Sequence, residues 1–319
     1  MLWIALWAGC APPATIEEAC GKGFPGDDLL STDTARFFER ITCHRRFVGL
    51  GPARVVGPAQ DAANAHAVYL ESNGVLDPSS ENYVQTIDDL FIEDDAWSGF
   101  TGVTALDRLQ AAEMVQAVEG SIGTWDVFLG DLEFDPDSFI ADPYLRDVMF
   151  QPGWIGAGMG ELDNEAEGTR AGYLNLLYAY PPSRRMFKPI VFPRDGQTDV
   201  RQVFTTYGHP SDPLSVSTRV GYPITVTVGS DRVDDAENPY LLEIDDAELV
   251  DEDGTSWELV QAGPGNYPWG ANTATQIFAT LDPLLPGTTY TFTATVVWNV
   301  RTAEVESTFT TFGGDDDGL

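Results

Sequence analysis

The spacing of apolar positions changes near the middle of the chain. From Ser31 they recur at helical intervals: Phe37, Ile41 and Phe47-Val48 share a face, Ser31, Thr32 and Asp33 offer N-cap oxygens, and Gly49 through Pro52 ends the run. A second helix is predicted from Pro58, whose fixed φ suits a first turn, to Gly74, with Ala62, Ala65, Tyr69 and Leu70 as its packing stripe. A third runs from Thr104 to Val118 with Leu106, Leu109, Val115 and Val118 inward, and a fourth is interrupted by Pro143. Between the second and third lies a long acidic loop, Asp77 to Gly102, containing Asp88-Asp89 and Glu93-Asp94-Asp95. Alternation in Trp154 to Gly160 and in Gly172 to Tyr180, on either side of the turn Asp163-Asn164-Glu165, predicts paired strands. Helices around a small antiparallel sheet make an α/β/α sandwich.

Pro181-Pro182-Ser183 and the stretch from Pro189 to Gly196 break this pattern. Beyond them the period is two. Strands are predicted at Tyr222 to Val228, Leu241 to Val250, Ser256 to Gln261, Thr275 to Leu281, Thr289 to Trp298 and Ala303 to Phe312, with a hairpin turn at Asp253-Gly254. The segment Leu284-Leu285-Pro286-Gly287-Thr288-Thr289-Tyr290 resembles the tyrosine corner of immunoglobulin-like and fibronectin type III sandwiches. The expected fold class is α+β, an α/β/α sandwich followed by an all-β immunoglobulin-like sandwich, with an acidic, disordered tail over 313–319.

The chain of 319 residues carries 50 acidic side chains against 17 Lys and Arg, a formal net charge of −33, and only Lys22 and Lys188 as lysines. Such a surface repels nucleic acid phosphates and anionic headgroups, which excludes nucleic acid as a partner class. The apolar opening Met1-Leu2-Trp3-Ile4-Ala5-Leu6-Trp7 is closed by Ala8-Gly9-Cys10, the grammar of a secretory signal. Ala8-Gly9-Cys10 further resembles a bacterial lipobox. That resemblance implies a signal peptide over 1–10, a lipid anchor on Cys10 and a place at the outer membrane or cell surface. A cleaved secretory protein, periplasmic or released, is the alternative. If Cys10 carries lipid, Cys20 and Cys43 remain as an even pair, either a disulfide or two buried thiols.

Four segments of the helical half carry a family likeness: Arg45-Arg46-Phe47-Val48-Gly49-Leu50, Ala65-His66-Ala67-Val68-Tyr69-Leu70, Glu119-Gly120-Ser121-Ile122, and Asp142-Pro143-Tyr144-Leu145-Arg146 leading to Gly156-Ala157-Gly158-Met159-Gly160. They resemble the CAP superfamily, also called SCP-like. The run Val191-Phe192-Pro193-Arg194-Asp195-Gly196-Gln197-Thr198-Asp199-Val200 is similar to the linker that follows this domain in some secreted bacterial proteins. The expected organisation is a linker over 11–30, a CAP domain over 31–192, and the β-sandwich with its leading linker over 193–312.

The resemblance implies a pocket of two His and two acidic residues able to hold a divalent metal. Laid on this chain, the first His falls near Ser79, the first Glu on Glu119, the second acid on Glu133 or Asp135, and the last His on Leu145, so the pocket histidines are missing. His66 is the one imidazole close by, facing either the pocket or the helix packing. Arg146 is expected in a structural ion pair. Carboxylates without imidazole favour hard ions, so no cofactor is expected beyond a weak calcium option. Asp251-Glu252-Asp253-Gly254 and Asp234-Asp235-Glu237 could serve such an ion or simply solvate hairpin tips. His44 and His209 have no partner pattern that would assemble a Ser/His/Asp triad. Two functions follow: a non-catalytic surface module binding a lipid, glycan or protein, or a hydrolase of envelope polymers or peptides using Glu119 with Glu81 or Glu133.

Overall fold

The cap signals of the helical half are realised. In the computed structural model the Ser31 hydroxyl accepts from the Thr34 N–H at the head of α2 (Thr32–Phe47), and Pro58 lies in the first turn of α3 (Gly57–Ser72). Thr104 and Asp107 cap each other at the head of α4 (Ala105–Ala111). Pro143 does not interrupt one helix but begins another: after α5 (Pro136–Ala141), the Asp142 carboxylate accepts from the Tyr144 and Leu145 N–H groups to open α6 (Pro143–Met149). The structure describes residues 13–21, 23–83, 90–112, 122–129, 136–164, 169–179, 188–206, 214, 219–228, 242–263, 275–298 and 301–314. The end of the expected third helix and the acidic tail beyond 314 lie outside them.

The stretch 11–30, expected as a linker, is built into the molecule from Pro13 onward. It forms α1 (Ile16–Cys20), capped by Thr15, and a single 3-10 turn at Asp27–Leu29. A disulfide joins Cys20 to Cys43 and so fastens α1 to α2. Arg46 donates to the Ala19 and Gly23 carbonyls, and Arg194 donates to those of Pro13 and Phe47. These bonds hold a segment whose composition alone gave no reason for order.

The first sheet has the order β1-β3-β2, all antiparallel, from β1 (Ile122–Leu129), β2 (Trp154–Asn164) and β3 (Thr169–Ala179). Gly158 and Gly160 face α3, and a Cβ at either would lie 2.2 Å from a backbone oxygen, Ala59 or Ala63. The Gln60 side-chain amide bonds both the N–H and the C=O of Met159, at 3.0 and 2.7 Å, as a neighbouring strand would. On the other face Ala157, Met159, Leu174 and Leu176 join Phe37, Phe38 and Ile41 of α2 and Phe139 of α5 in the main core. Strict side-chain alternation along β2 therefore puts glycine toward one helical layer and bulk toward the other. Helices cover both faces.

The second half is all strand. A five-stranded sheet, β10-β9-β13-β14-β5, is formed by β5 (Gln197–Val200), β9 (Leu242–Asp251), β10 (Ser256–Trp257), β13 (Thr289–Trp298) and β14 (Arg301–Thr311). A four-stranded sheet, β11-β12-β8-β4, contains β4 (Ile190–Phe192), β8 (Ile224–Thr227), β11 (Leu259–Ala262) and β12 (Thr275–Thr280). A separate ribbon pairs β6 (Val203–Thr205) with β7 (Arg219–Gly221). Alternate residues of β13, from Tyr290 to Trp298, are buried, and Phe292 meets Phe278 of the facing sheet at 5.4 Å. The Tyr290 hydroxyl accepts from the Leu285 N–H at 2.8 Å. The expected strand Ser256 to Gln261 is two strands, because the chain changes sheets at Glu258. The boundary expected after residue 192 also moves: β4 pairs with β8, so the β half has begun by Ile190.

α6 joins the two halves. Tyr144 packs with Leu214, Val220, Ile277 and Ala279, and Phe150 meets Phe192 edge-on at 5.5 Å. Arg146, fully buried, donates to the Tyr222 hydroxyl at 3.1 Å and the Pro223 carbonyl at 2.7 Å and lies over the Phe192 ring. The ion pair expected for Arg146 is not found among the described residues, where the nearby charges of Asp142 and Asp147 favour its charged form against the cost of burial. The close seat of α3 on β2 gives a direct test. Gly160→Val places side-chain carbons where the Ala63 carbonyl lies, and we expect it to lower unfolding stability by about 2 to 3 kcal/mol, read as a lower urea midpoint.

Candidate functional site

His66 lies inside α3 and is completely buried. Its Nδ1 is 2.9 Å from Glu93 Oε1 and its Nε2 is 2.8 Å from the Leu90 carbonyl oxygen. Both are hydrogen bonds only when both ring nitrogens carry protons, because both partners are acceptors. The imidazole is flanked by Tyr69 and Tyr173, with ring centroids at 5.9 and 4.2 Å. Glu93, equally enclosed, accepts in addition from the Thr101 and Gly102 N–H groups and the Thr101 hydroxyl. Burial pushes the Glu93 carboxyl up, but hydrogen bonds from His66 and Thr101 outweigh it and hold the group below the usual carboxylate range.

Arg108 completes this cluster from α4. It donates to the Tyr173 hydroxyl at 2.6 Å and to the carbonyls of Phe91, Gly102 and Val103. The Tyr69 hydroxyl accepts from the Asp94 N–H, and Asn73 donates to the Ser98 carbonyl. Together these bonds strap residues 90–103, read from the sequence as an acidic loop, onto α3 and α4. An imidazole and a carboxylate so enclosed have no face for a substrate, so the arrangement does structural rather than chemical work.

A second cluster lies between α2 and α5. Asp137 receives a two-pronged contact from Arg40, at 2.6 and 2.7 Å, and a 2.6 Å contact from His44 Nε2. Burial raises the Asp137 carboxyl, yet the bonds from His44 and Arg40 hold it far below its ordinary range. Burial lowers His44 in spite of Asp137. Its Nδ1 is buried without a partner among the described residues.

No hydrogen bond or ion pair among the described residues joins those expected to line one pocket. Ser79 is exposed, with its N–H and hydroxyl both bound to the Asp77 carboxylate, and Glu81 is exposed in the following turn. Leu145 is half-buried against the main core. Arg146 is the joint to the β half, and no hydrogen bond or ion pair links His66 to any of these four. Glu119, Glu133, Asp135, Cys10, His209 and the Asp234–Glu237 run lie outside the described residues. Among the described residues no three His, Cys, Asp or Glu side chains come together to hold a metal. Asp251 is taken up by its own hairpin, accepting from Asp253, Thr255 and the Trp257 indole. Sequence reasoning missed Glu93 and Arg108, whose partners lie 27 and 65 residues away along the chain.

One cleft of about 550 Å³ opens elsewhere, between β4 and β14, bounded by Leu50, Lys188, Val191, Ala303, Val305 and Glu306 among others. Two of its walls are strand edges, and a third is the turn Val48-Gly49-Leu50 that follows α2.

No protein-family model matches the chain, and no curated protein matches it. Among solved structures it is similar to an outer surface protein from Borrelia burgdorferi, at 12% identity and a TM-score of 0.32, over 47% of this chain and 96% of that one.

The enclosed pair makes a pH prediction. A carboxyl held below its ordinary value contributes stability that is complete above about pH 4.5, its unfolded value, and is lost as pH falls through the folded value. Glu93→Gln, which strands the His66 and Thr101 donors, is expected to cost about 3 kcal/mol at pH 7. Urea midpoints between pH 7 and pH 3 should show the variant losing less than the native chain on acidification. Equal losses would deny Glu93 this role.

Proposed function

We propose that this chain is an exported, lipid-anchored cell-surface protein in which a CAP-like domain, followed by an immunoglobulin-like sandwich, binds a lipid, glycan or protein ligand without catalysing a reaction. The observation that carries the reading is the enclosure of His66 and Glu93. The one imidazole near the place where the resembled family keeps its pocket has an acceptor at each nitrogen, is stacked on Tyr69 and is tilted against Tyr173. Leu145 supplies apolar contacts where that family has its second His.

Attachment through Cys10 is supported by the Ala8-Gly9-Cys10 motif and by the fastening of the chain from Pro13 onward, three residues later. No helix among the described residues is long and apolar enough to cross a membrane. A lipid anchor supplies membrane attachment by a different route, with acyl chains adding about 0.8 kcal/mol for each buried CH₂.

Two measurements test the two parts. Expressed in a bacterium with its leader and fed radiolabelled palmitate, the chain should take up label and fractionate with membranes, and Cys10→Ala should do neither. Label on the Cys10→Ala chain would refute the anchor. For the binding module, saturation of a real metal site at 100 times its dissociation constant would add about 2.7 kcal/mol of stability. Zinc, calcium and magnesium are expected to leave the melting temperature unchanged, and a zinc-induced rise would reopen the hydrolase reading.

A further inference from the structure

Among the described residues, the outer edge of β14 is only half covered. β13 pairs with β14 along its whole length, whereas β5 pairs with it only at Phe309 and Thr311. Across the cleft, β4 pairs with β8 and presents its other edge. Residues 303–307 and 188–191 line the cleft consecutively, as they must if it runs along two strand edges.

The direction of the backbone groups follows from Thr308. Its N–H donates to the Asp195 carboxylate and its C=O accepts from the Gly196 N–H, so both point away from β13 toward the outer edge. Backbone groups alternate sides along an antiparallel strand, so those of Glu306 and Glu304 point the same way, into the cleft. Neither residue has a backbone partner there among the described residues. Ala303 and Val305 turn half-buried side chains inward, and Glu304 and Glu306 are exposed on the outer face.

We propose that the cleft takes one extended peptide segment, which adds as a strand to β14 at residues 303–307 and continues the line that β5 begins. The walls define its chemistry. At about 3.3 Å per residue the open edge accommodates four or five ligand residues. Positions turned inward meet Ala303, Val305 and Val191 and must be small and apolar. Positions turned outward lie beside Glu304 and Glu306 and should be Lys or Arg, since opposite charges on neighbouring strands attract and like charges repel. The same rule disfavours a second copy of this chain, whose own Glu304 and Glu306 would face these. Arg194, on the far side, is turned to the Pro13 and Phe47 carbonyls, and Lys188 stands near the start of β4.

This inference deepens the binding-module reading by naming a ligand class, and its test is separate from palmitate labelling of Cys10. The probe is a fluorescein-labelled peptide alternating Lys and Val over seven residues, titrated into the full chain at physiological salt. An acidic protein attracts any cationic peptide, so the deciding readout is amide hydrogen exchange by NMR. Exchange should slow at the Glu304 and Glu306 amides. Glu304→Lys/Glu306→Lys should weaken binding at least tenfold and confer binding of the Glu-Val counterpart. Ala303→Trp, which fills the cleft, should weaken binding of the original peptide to a similar extent. Absence of saturable binding, saturation without slowed exchange at those amides, or undiminished affinity in Ala303→Trp would each overturn the proposal. So would slowed exchange that accompanies dimerisation without peptide, which would assign the edge to self-association. None of these failures bears on whether Cys10 carries lipid.

Discussion

Three arginines sealed from solvent hold this molecule together, and each does so in the same way. Arg45, Arg108 and Arg146 are among its most completely buried large side chains, and each guanidinium lies over an aromatic ring, respectively Trp154, Tyr173 and Phe192. Each also donates to backbone carbonyls of loops or helix ends: Gly51, Gln151 and the α6 terminus Met149 for Arg45, the ends of the 90–103 loop for Arg108, and Pro223 for Arg146. A buried charge is tolerable only where most of its donors are satisfied, and a planar five-donor fork reaches several acceptors at once; at Arg146 the Nε has no hydrogen-bond partner among the described residues. Removing one leaves those carbonyls without partners in a place water does not reach, a penalty of about 1 to 3 kcal/mol for each. Loops that could not fold by apolar burial are thus fixed by a few long polar side chains.

This division of labour accounts for an odd feature of the composition. Fifteen arginines stand beside two lysines, and fifty acids outnumber both. A compact, strongly hydrated ammonium has no planar face to lay on a ring and loses more hydration on burial, so lysine could not replace arginine at these positions. The acids stay mostly outside. Where one is enclosed, as Glu93 is, it meets an imidazole and backbone donors, which hold its charge and leave no lone pair for chemistry. The same physics that makes the 90–103 loop rigid removes His66 and Glu93 from the list of reactive groups.

Local features were legible in the sequence because their causes are local. The Ser31 cap, the proline of α3, the Asp253-Gly254 turn and the period-two alternation of β13 and β14 each depend on neighbours a few residues away. Asp142-Pro143 reads as a break and proves to be a break plus a new start, since Asp caps and Pro suits the first turn. The site was not legible. His66 meets Glu93 and Arg108 meets Tyr173 across gaps no periodicity spans, and Glu93 sits in a charge run that solvation explains equally well. A family pattern laid on this chain grouped His66, Ser79, Leu145 and Arg146, and the folded chain places them in a buried hydrogen-bonded pair, an exposed turn, the edge of the main core and the joint between halves.

The open edge of β14 has a cause of the same long-range kind. The strand preceding Pro193 belongs to one sheet and the strand following Asp195 to the other, so a single N-terminal segment is divided between two layers. The Ser307 hydroxyl bonds the Pro193 carbonyl at the crossing, which closes the cleft at that end. Before the crossing, neither β4 nor β5 can reach residues 303–307, and a gap is the geometric consequence. An uncovered edge invites pairing with any extended chain, and folded proteins commonly blunt it with charge. Here that charge is of one sign, Glu304 and Glu306, on the face beside the gap. Glutamates there disfavour another copy of the same edge while leaving the outward backbone groups in place, so on the proposal made above one device would both oppose self-pairing and favour a basic strand.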